Sequence, residues 1–309
     1  MARTRFVPDT GLTVRMTTVM FLLGGLFVAL IVALMFAVDS PGLSLLIGLV
    51  GIGIAWWQWW NSDKVAIRAM GAREVTPEEA PELHGMIDRL CVMADMKKPR
   101  VAVADSRLPN AFATGRSADR SLVCVTTGIL HTLTAEELEG VLAHELSHVA
   151  HRDVLVMTVA STAGIVAGMV ARGAQYGFMF GGGGGGGRRE NNNGGGAFGL
   201  VIALVASLVT YAISFFLTRL LSRYRELCAD RSGVYLTQKP AALASALRKI
   251  SGEMNTVPEQ DLRAAESMNA FFISPAVRGG FGNLASTHPP LEQRLDQLAK
   301  IAASLGQTL

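Results

Sequence analysis

The sequence predicts a mostly α-helical membrane protein, with four transmembrane helices joined to a cytosolic α+β domain that holds a small antiparallel sheet. Three observations carry this expectation. Half of the 309 residues are hydrophobic (50%) and only 17% are charged, too apolar for an ordinary soluble chain of this length. The apolar residues gather into four runs of roughly membrane-spanning length. Arginines and lysines mark one side of those runs.

The first run, residues 16–38, has no charge. At about 1.5 Å per residue it reaches across a hydrocarbon core of roughly 30 Å. It is too long for the apolar core of a secretory signal, and a second run follows at once. Asp39, Ser40, Pro41 and Gly42 make the turn between them. The second run, 43–60, ends in Trp56, Trp57, Trp59 and Trp60, residues that favour the headgroup level. The third, 154–180, contains Arg172, placed to snorkel outward, and the fourth covers 198–217. A hairpin buried in a soluble core is the competing reading of the last two runs. Residues 181–196 are glycine and asparagine around Arg188, Arg189 and Glu190; with nothing to bury they predict a disordered loop.

Arg3, Arg5 and Arg15 precede the first run, Lys64, Arg68 and Arg73 follow the second, and Arg219, Arg223 and Arg225 follow the fourth. The positive-inside rule then places both termini and both polar segments in the cytosol of a bacterial cytoplasmic membrane, with Arg188 and Arg189 a mild exception. The chain divides into an N-terminal transmembrane hairpin (1–60), a first polar part (61–153), a second transmembrane hairpin (154–217) and a second polar part (218–309). The net charge of +3 comes without a basic tract or aromatic-interleaved patch and so gives little support to nucleic-acid binding. Cys91, Cys124 and Cys228 have no disulfide or CxxC spacing and read as free thiols.

In the first polar part, Thr76-Pro77-Glu78-Glu79 reads as a helix start with a capping box, followed by Leu83, Ile87, Leu90 and Ala94 on one face. Residues 101–104, 111–114 and 122–125 read as three short strands separated by turn residues. A second capping box, Thr134 to Glu137, opens a helix with Leu138, Leu142, Leu146 and Val149 as its buried stripe. In the second polar part, residues 220–235 and 241–250 read as helices, and a last helix follows His288-Pro289-Pro290.

The helix of the second box carries His144-Glu145-Leu146-Ser147-His148, an HExxH motif. Residues four apart on a helix lie about 40° apart, so both imidazoles point the same way, as two ligands of one Zn²⁺ require. Glu145 beside them suits a general base that takes a proton from the attacking water and passes it to the leaving amine. A catalytic zinc needs a third ligand, and Glu226 is the candidate, with Asp230 one turn on to hold a ligand histidine; pairing of Glu226 with Arg223 or Arg225 is the competing reading. Cys228 points about 200° from Glu226 and reads as a packed thiol. His151 reads as a supporting or surface group, and His84 and His131 as surface residues.

With these residues in place, the sequence resembles the HtpX family of bacterial membrane proteases, glutamate-zincin enzymes related to the type I CAAX prenyl protease. The likeness covers nearly the whole chain. It rests on Pro109-Asn110-Ala111-Phe112-Ala113-Thr114-Gly115, on His144 to His148, on Ser222-Arg223 through Glu226 to Asp230, and on Ser286-Thr287-His288-Pro289-Pro290 with Arg294. The resemblance implies one zinc per chain held by His144, His148 and Glu226. It implies substrate binding as an added strand along Asn110, Ala111, Phe112, Ala113 and Thr114, and His288, positioned with Arg294, as an oxyanion stabiliser; a cap on the last helix is the competing role for His288. It further implies a zincin-like domain and a zinc endopeptidase of quality control and stress response, acting on misfolded membrane proteins at the lipid bilayer. A narrow CAAX-type processing protease and a non-catalytic zinc-binding scaffold are the alternatives.

Overall fold

In a computed structural model of the chain the described residues are 6, 8–36, 41–61, 64, 67, 68, 70–115, 117–153, 156, 195–256 and 288–309. The predicted third span with Arg172, apart from residue 156, the turn at Asp39 and Ser40, nearly all of the glycine-rich loop, and Ser286 and Thr287 lie outside them. The elements in order are α1 (Thr10–Phe36), α2 (Pro41–Trp60), β1 (Ala72–Glu74), α3 (Pro81–Ala94), β2 (Arg100–Ala104), β3 (Ala111–Gly115), β4 (Ser121–Thr126), α4 (Thr127–Thr132), α5 (Ala135–His151), α6 (Gly195–Thr237), α7 (Pro240–Thr256) and α8 (Leu291–Ser304).

Asp9 starts α1: its carboxylate accepts the N–H of Leu12 at 2.7 Å, the usual service of an N-cap. The helix therefore begins before the apolar run. Among the described residues, two stretches of helix are long and apolar enough to cross a membrane, Thr10–Met35 in α1 and Val201–Thr237 in α6. Their apolar side chains stay largely outward, with Phe21 80% and Phe216 59% exposed. Such surfaces are unfavourable in water and suit lipid. Residues 198–217 and 220–235, read from sequence as a span and a separate helix, form one continuous 43-residue helix, because arginines at 219, 223 and 225 are good helix formers.

Two compact units emerge, one from Met1–Val14, Asn61–Leu155 and Arg219–Leu309, the other from Arg15–Trp60 and Val156–Thr218. The first unit holds a four-stranded sheet in the order β1-β2-β4-β3. The sheet is mixed, which corrects the antiparallel expectation. β2 runs parallel to β4, with Val101 beside Val123 and Val103 beside Val125, while β1–β2 and β3–β4 are antiparallel. The expectation paired strands that are neighbours in sequence. Here β3 is bypassed and takes the edge, and the short β1, too polar to read as a strand, takes the other. Gly115 closes β3 at φ 137; a Cβ there would meet the carbonyl oxygen of Arg120 at 2.5 Å, so glycine is required.

α3 starts at Pro81, not at Thr76. Glu79 does accept the N–H of Thr76 at 2.8 Å, but this closes a separate turn, and proline at the first helical position opens the helix. Its apolar face, with Ile87 and Leu90 fully buried, meets Leu142 and Leu146 of α5 and Leu247 and Ile250 of α7 in one core. His84 is a further correction. It is buried, with Nε2 3.0 Å from the carbonyl oxygen of Val75.

The capping box of α5 is present as read: Thr134 Oγ1 accepts the N–H of Glu137 at 3.4 Å and the Glu137 carboxylate accepts the N–H of Thr134 at 2.8 Å. Leu138, Leu142, Leu146 and Val149 are all buried. This packing fixes the rotation of α5 and turns the opposite side of the helix toward α6. There Gly233 permits close approach, since a Cβ would lie 3.0 Å from the backbone nitrogen of His144.

Candidate active site

His144 and His148 stand one turn apart on α5, and Glu226 comes from α6. All three are buried. The Nε2 atoms of the histidines are 3.2 Å apart. The Glu226 carboxylate lies 3.4 Å from His144 Nε2 through one oxygen and 3.5 Å from His148 Nε2 through the other. Ligand atoms at roughly 2.0–2.1 Å around a tetrahedral zinc lie about 3.3 Å from one another, and one donor atom from each of the three residues lies within 4.8 Å of the other two, so modest side-chain adjustment brings them to the corners of such a tetrahedron. Two imidazoles and one carboxylate are the donor set of a catalytic site with an open fourth position. Among the described residues these three are the group placed to hold a metal ion, and His151 is not part of it. Its Nδ1 instead meets the carbonyl oxygen of Ser147 at 2.9 Å, and its ring lies beside Phe6.

Behind the donors the histidines are braced. His144 Nδ1 lies 2.9 Å from Asp230 Oδ1, and Arg294 forks onto Asp230 with Nε and Nη2 at 2.8 and 2.6 Å. His148 Nδ1 lies 2.8 Å from Asp153 Oδ2, which Arg225 Nε meets at 3.2 Å. The sequence reading placed Asp230 and Arg294 at the site. It missed Asp153, and named Arg225 only in the competing reading, as a partner of Glu226. His288 is buried with Nδ1 3.2 Å from Glu226 Oε2. The N-cap of α8 is Pro290 without a side-chain hydrogen bond, so capping is not what His288 does.

The electrostatics follow from burial set against these partners. Burial acts to raise the Glu226 carboxyl, but His288, His144 and His148 outweigh it and hold it well below the usual carboxylate range. Asp230 is likewise lowered, burial being overcome by Arg294 and His144. His144 is raised: burial opposes its charge, but Asp230 and Glu226 favour it more strongly. Glu145 goes the other way. Burial lifts its carboxyl above the ordinary range, against the pull of His144 and His148. Among the described residues none donates a hydrogen bond to it.

The remaining residues of the expectation lie on β3. Asn110, just before the strand, is tied by its backbone to Thr126, donating its N–H to Thr126 Oγ1 at 2.9 Å and accepting the N–H of Thr126 at 2.9 Å. Ala111, Phe112 and Thr114 are buried and Ala113 is half-buried, and the strand lies next to α5. Cys91, Cys124 and Cys228 are free and buried. Cys228 donates to Asp9 Oδ2 at 3.1 Å, and burial first, with Asp9 adding, pushes its thiol up to about 12, so it is inert packing.

Comparison with known proteins shows the family of the chain. The family model of peptidase family M48 matches residues 77–302. A protease HtpX homolog of Streptomyces coelicolor is 50% identical over 99% of this chain and 97% of its own length. Homologs from Methanosarcina acetivorans (47%, 96% of this chain and 98% of the relative) and Moorella thermoacetica (46%, 97% of each) are similar throughout. The crystal structure of S. mikatae Ste24p aligns with a TM-score of 0.46 at 16% identity, covering 94% of this chain and 66% of that one. By the family match and these identities, the chain belongs to peptidase family M48, as a membrane-anchored metalloprotease of the HtpX type.

Proposed function

We propose that the chain is a zinc endopeptidase that cleaves cytosolic stretches of misfolded or damaged membrane proteins. The observation that carries this reading is the set of separations of 3.2, 3.4 and 3.5 Å among His144, His148 and Glu226, with Glu145 buried beside them. The donor chemistry favours zinc over harder cations, which prefer all-oxygen sites. Zinc, when bound, supplies a Lewis acid that polarises a peptide carbonyl and acidifies water. Glu145 takes the proton of the attacking water on its carboxylate and returns it to the leaving amine. A carboxyl lifted by burial has more affinity for that proton than a solvated one. His288, whose Nδ1 lies 3.2 Å from Glu226 Oε2, donates to the oxygen on which charge develops.

The substrate adds as an extended strand alongside β3, Asn110 to Thr114, which is the last strand of the sheet among the described residues, and is held by its backbone, which tolerates many sequences. Four spans organised as two hairpins (1–60 and 154–217) anchor the two polar parts. Both termini and the site face the cytosol, a reading supported by the basic flanks of the apolar runs.

The test is casein digestion by the detergent-purified protein, prepared under chelator to limit self-digestion. Cleavage is expected to return with zinc, to stop with chelator, and to fall at least about 10²-fold in Glu145→Gln while that variant still binds metal. Metal binding without cleavage by the wild-type protein would leave a narrow processing enzyme or a non-catalytic zinc protein. Equal cleavage by both proteins would remove Glu145 from the chemistry.

A further inference from the structure

We infer that Asp153, anchored by Arg225, is the positioning residue of His148, the counterpart of what Asp230 and Arg294 form at His144. The inference rests on the reading of His144, His148 and Glu226 as metal ligands.

A histidine that offers Nε2 to a metal must carry its ring proton on Nδ1, and an acceptor facing Nδ1 selects that tautomer and fixes the ring plane. His148 has its Nε2 turned to His144 and Glu226 and its Nδ1 turned to Asp153 Oδ2 at 2.8 Å. The Asp153 side chain is 1% exposed, so the carboxylate itself needs a partner to stay charged in that place. Arg225, 11% exposed, supplies it through Nε at 3.2 Å. Arg225 Nη2 lies 3.4 Å from His148 Nδ1, and since neither group accepts when Nδ1 carries the proton, Asp153 Oδ2 is the acceptor that reconciles both.

The backbone is bent to make this contact. Five residues along a helix turn a side chain about 140° away, so Asp153 on a continued α5 would leave the His148 face. Arg152 ends the helix instead in the left-handed conformation, at φ 58. Glycine or asparagine is the usual residue there. This left-handed helix end, of the kind also found at Asp95 and Gln238, turns the chain so that Asp153 meets the His148 ring. The two braces differ in one respect. Arg294 grips both oxygens of Asp230, whereas His148 and Arg225 share a single oxygen of Asp153. The arginine grip on Asp153 is the looser of the two.

The experiment uses the full-length protein in detergent, with zinc affinity read by competition against a chelating dye and the ligand field read from the visible spectrum of the cobalt(II) form. Asp153→Asn is expected to weaken zinc binding about 10- to 100-fold and to alter the cobalt spectrum. Arg225→Gln, which leaves the carboxylate in place, is expected to weaken binding by less and to shift the spectrum in the same direction. It also decides the matter if Asp153→Asn does not fold. Wild-type affinity and an unchanged cobalt spectrum in either folded variant overturn the inference. Failure of the underlying site reading looks different: His148→Ala would then bind zinc as tightly as wild type.

Discussion

Glu137 and Glu145 lie about two turns apart on α5, are buried alike at 6% and 4% exposure, and are treated in opposite ways. Glu137 is surrounded by donors: the N–H of Thr134 at 2.8 Å, the Ser245 hydroxyl at 2.6 Å and the Lys249 ammonium at 2.7 Å. Burial alone would raise its carboxyl, but Lys249, Ser245 and Thr134 together bring it down to about 2. Glu145 has burial without donors among the described residues, and its carboxyl rises. A buried carboxylate supplied with hydrogen bonds is held permanently as an ion and ties elements together, here α5 to α7. One left without them is poised to accept a proton. Burial alone does not separate the two; the donors do.

The comparison predicts opposite outcomes for the same chemical change. Glu145→Gln should abolish most cleavage yet leave the melting midpoint under chelator unchanged or slightly raised, because it removes a buried charge that lacks hydrogen bonds. Glu137→Gln should leave cleavage per folded molecule within about twofold. It should cost on the order of 2 kcal/mol, a midpoint lower by about 4–8 °C, since Lys249 loses its carboxylate. Thermal melts and casein digestion of both variants decide this. Equal destabilisation of the two, or loss of cleavage in both, would break the distinction.

The same pair sharpens in acid. The folded Glu137 carboxyl sits near 2 against an ordinary value of 4.5. Its contribution is therefore complete above about pH 4.5 and is lost as pH falls from there toward 2. The stability gap between wild type and Glu137→Gln should be constant from neutrality down to about pH 5 and then close. Taking the difference between the two proteins cancels the other carboxylates that titrate in the same range. A gap that widens in acid would mean that Glu137 is not held as the ion.

These contrasts also explain what was legible in the sequence. The box at Thr134, the leucine stripe and HExxH are all patterns of three and four residues within one helix, and periodicity reveals them directly. Glu226 and Asp230 share the same kind of spacing, but which histidine they face depends on how α6 packs at Gly233. Asp153 was hidden because Arg152 leaves the helix, so helical spacing gives the wrong direction for its side chain. The parallel pairing of β2 with β4 was hidden because β3 intervenes in sequence and is displaced in space. The ion pair of Asp9 with Arg231, which joins the start of α1 to the helix bearing Glu226, spans 222 residues, and no local pattern encodes it.

The smallest effect is expected at Thr134. Its hydroxyl accepts from the Glu137 N–H at a long 3.4 Å, while the return bond, from its own N–H to the Glu137 carboxylate, is a firm 2.8 Å. Thr134→Ala removes the weaker half and keeps the stronger, because the stronger uses backbone. An N-cap replaced by alanine typically costs about 0.5–2 kcal/mol, and the long bond puts this one at the low end, about 0.5 kcal/mol. The midpoint should then fall by about 1–2 °C, several times less than for Glu137→Gln. A fall as large as that of Glu137→Gln would mean that the hydroxyl, rather than the ring of donors from α7, keeps Glu137 charged, and that the structural role assigned to this carboxylate belongs to the cap.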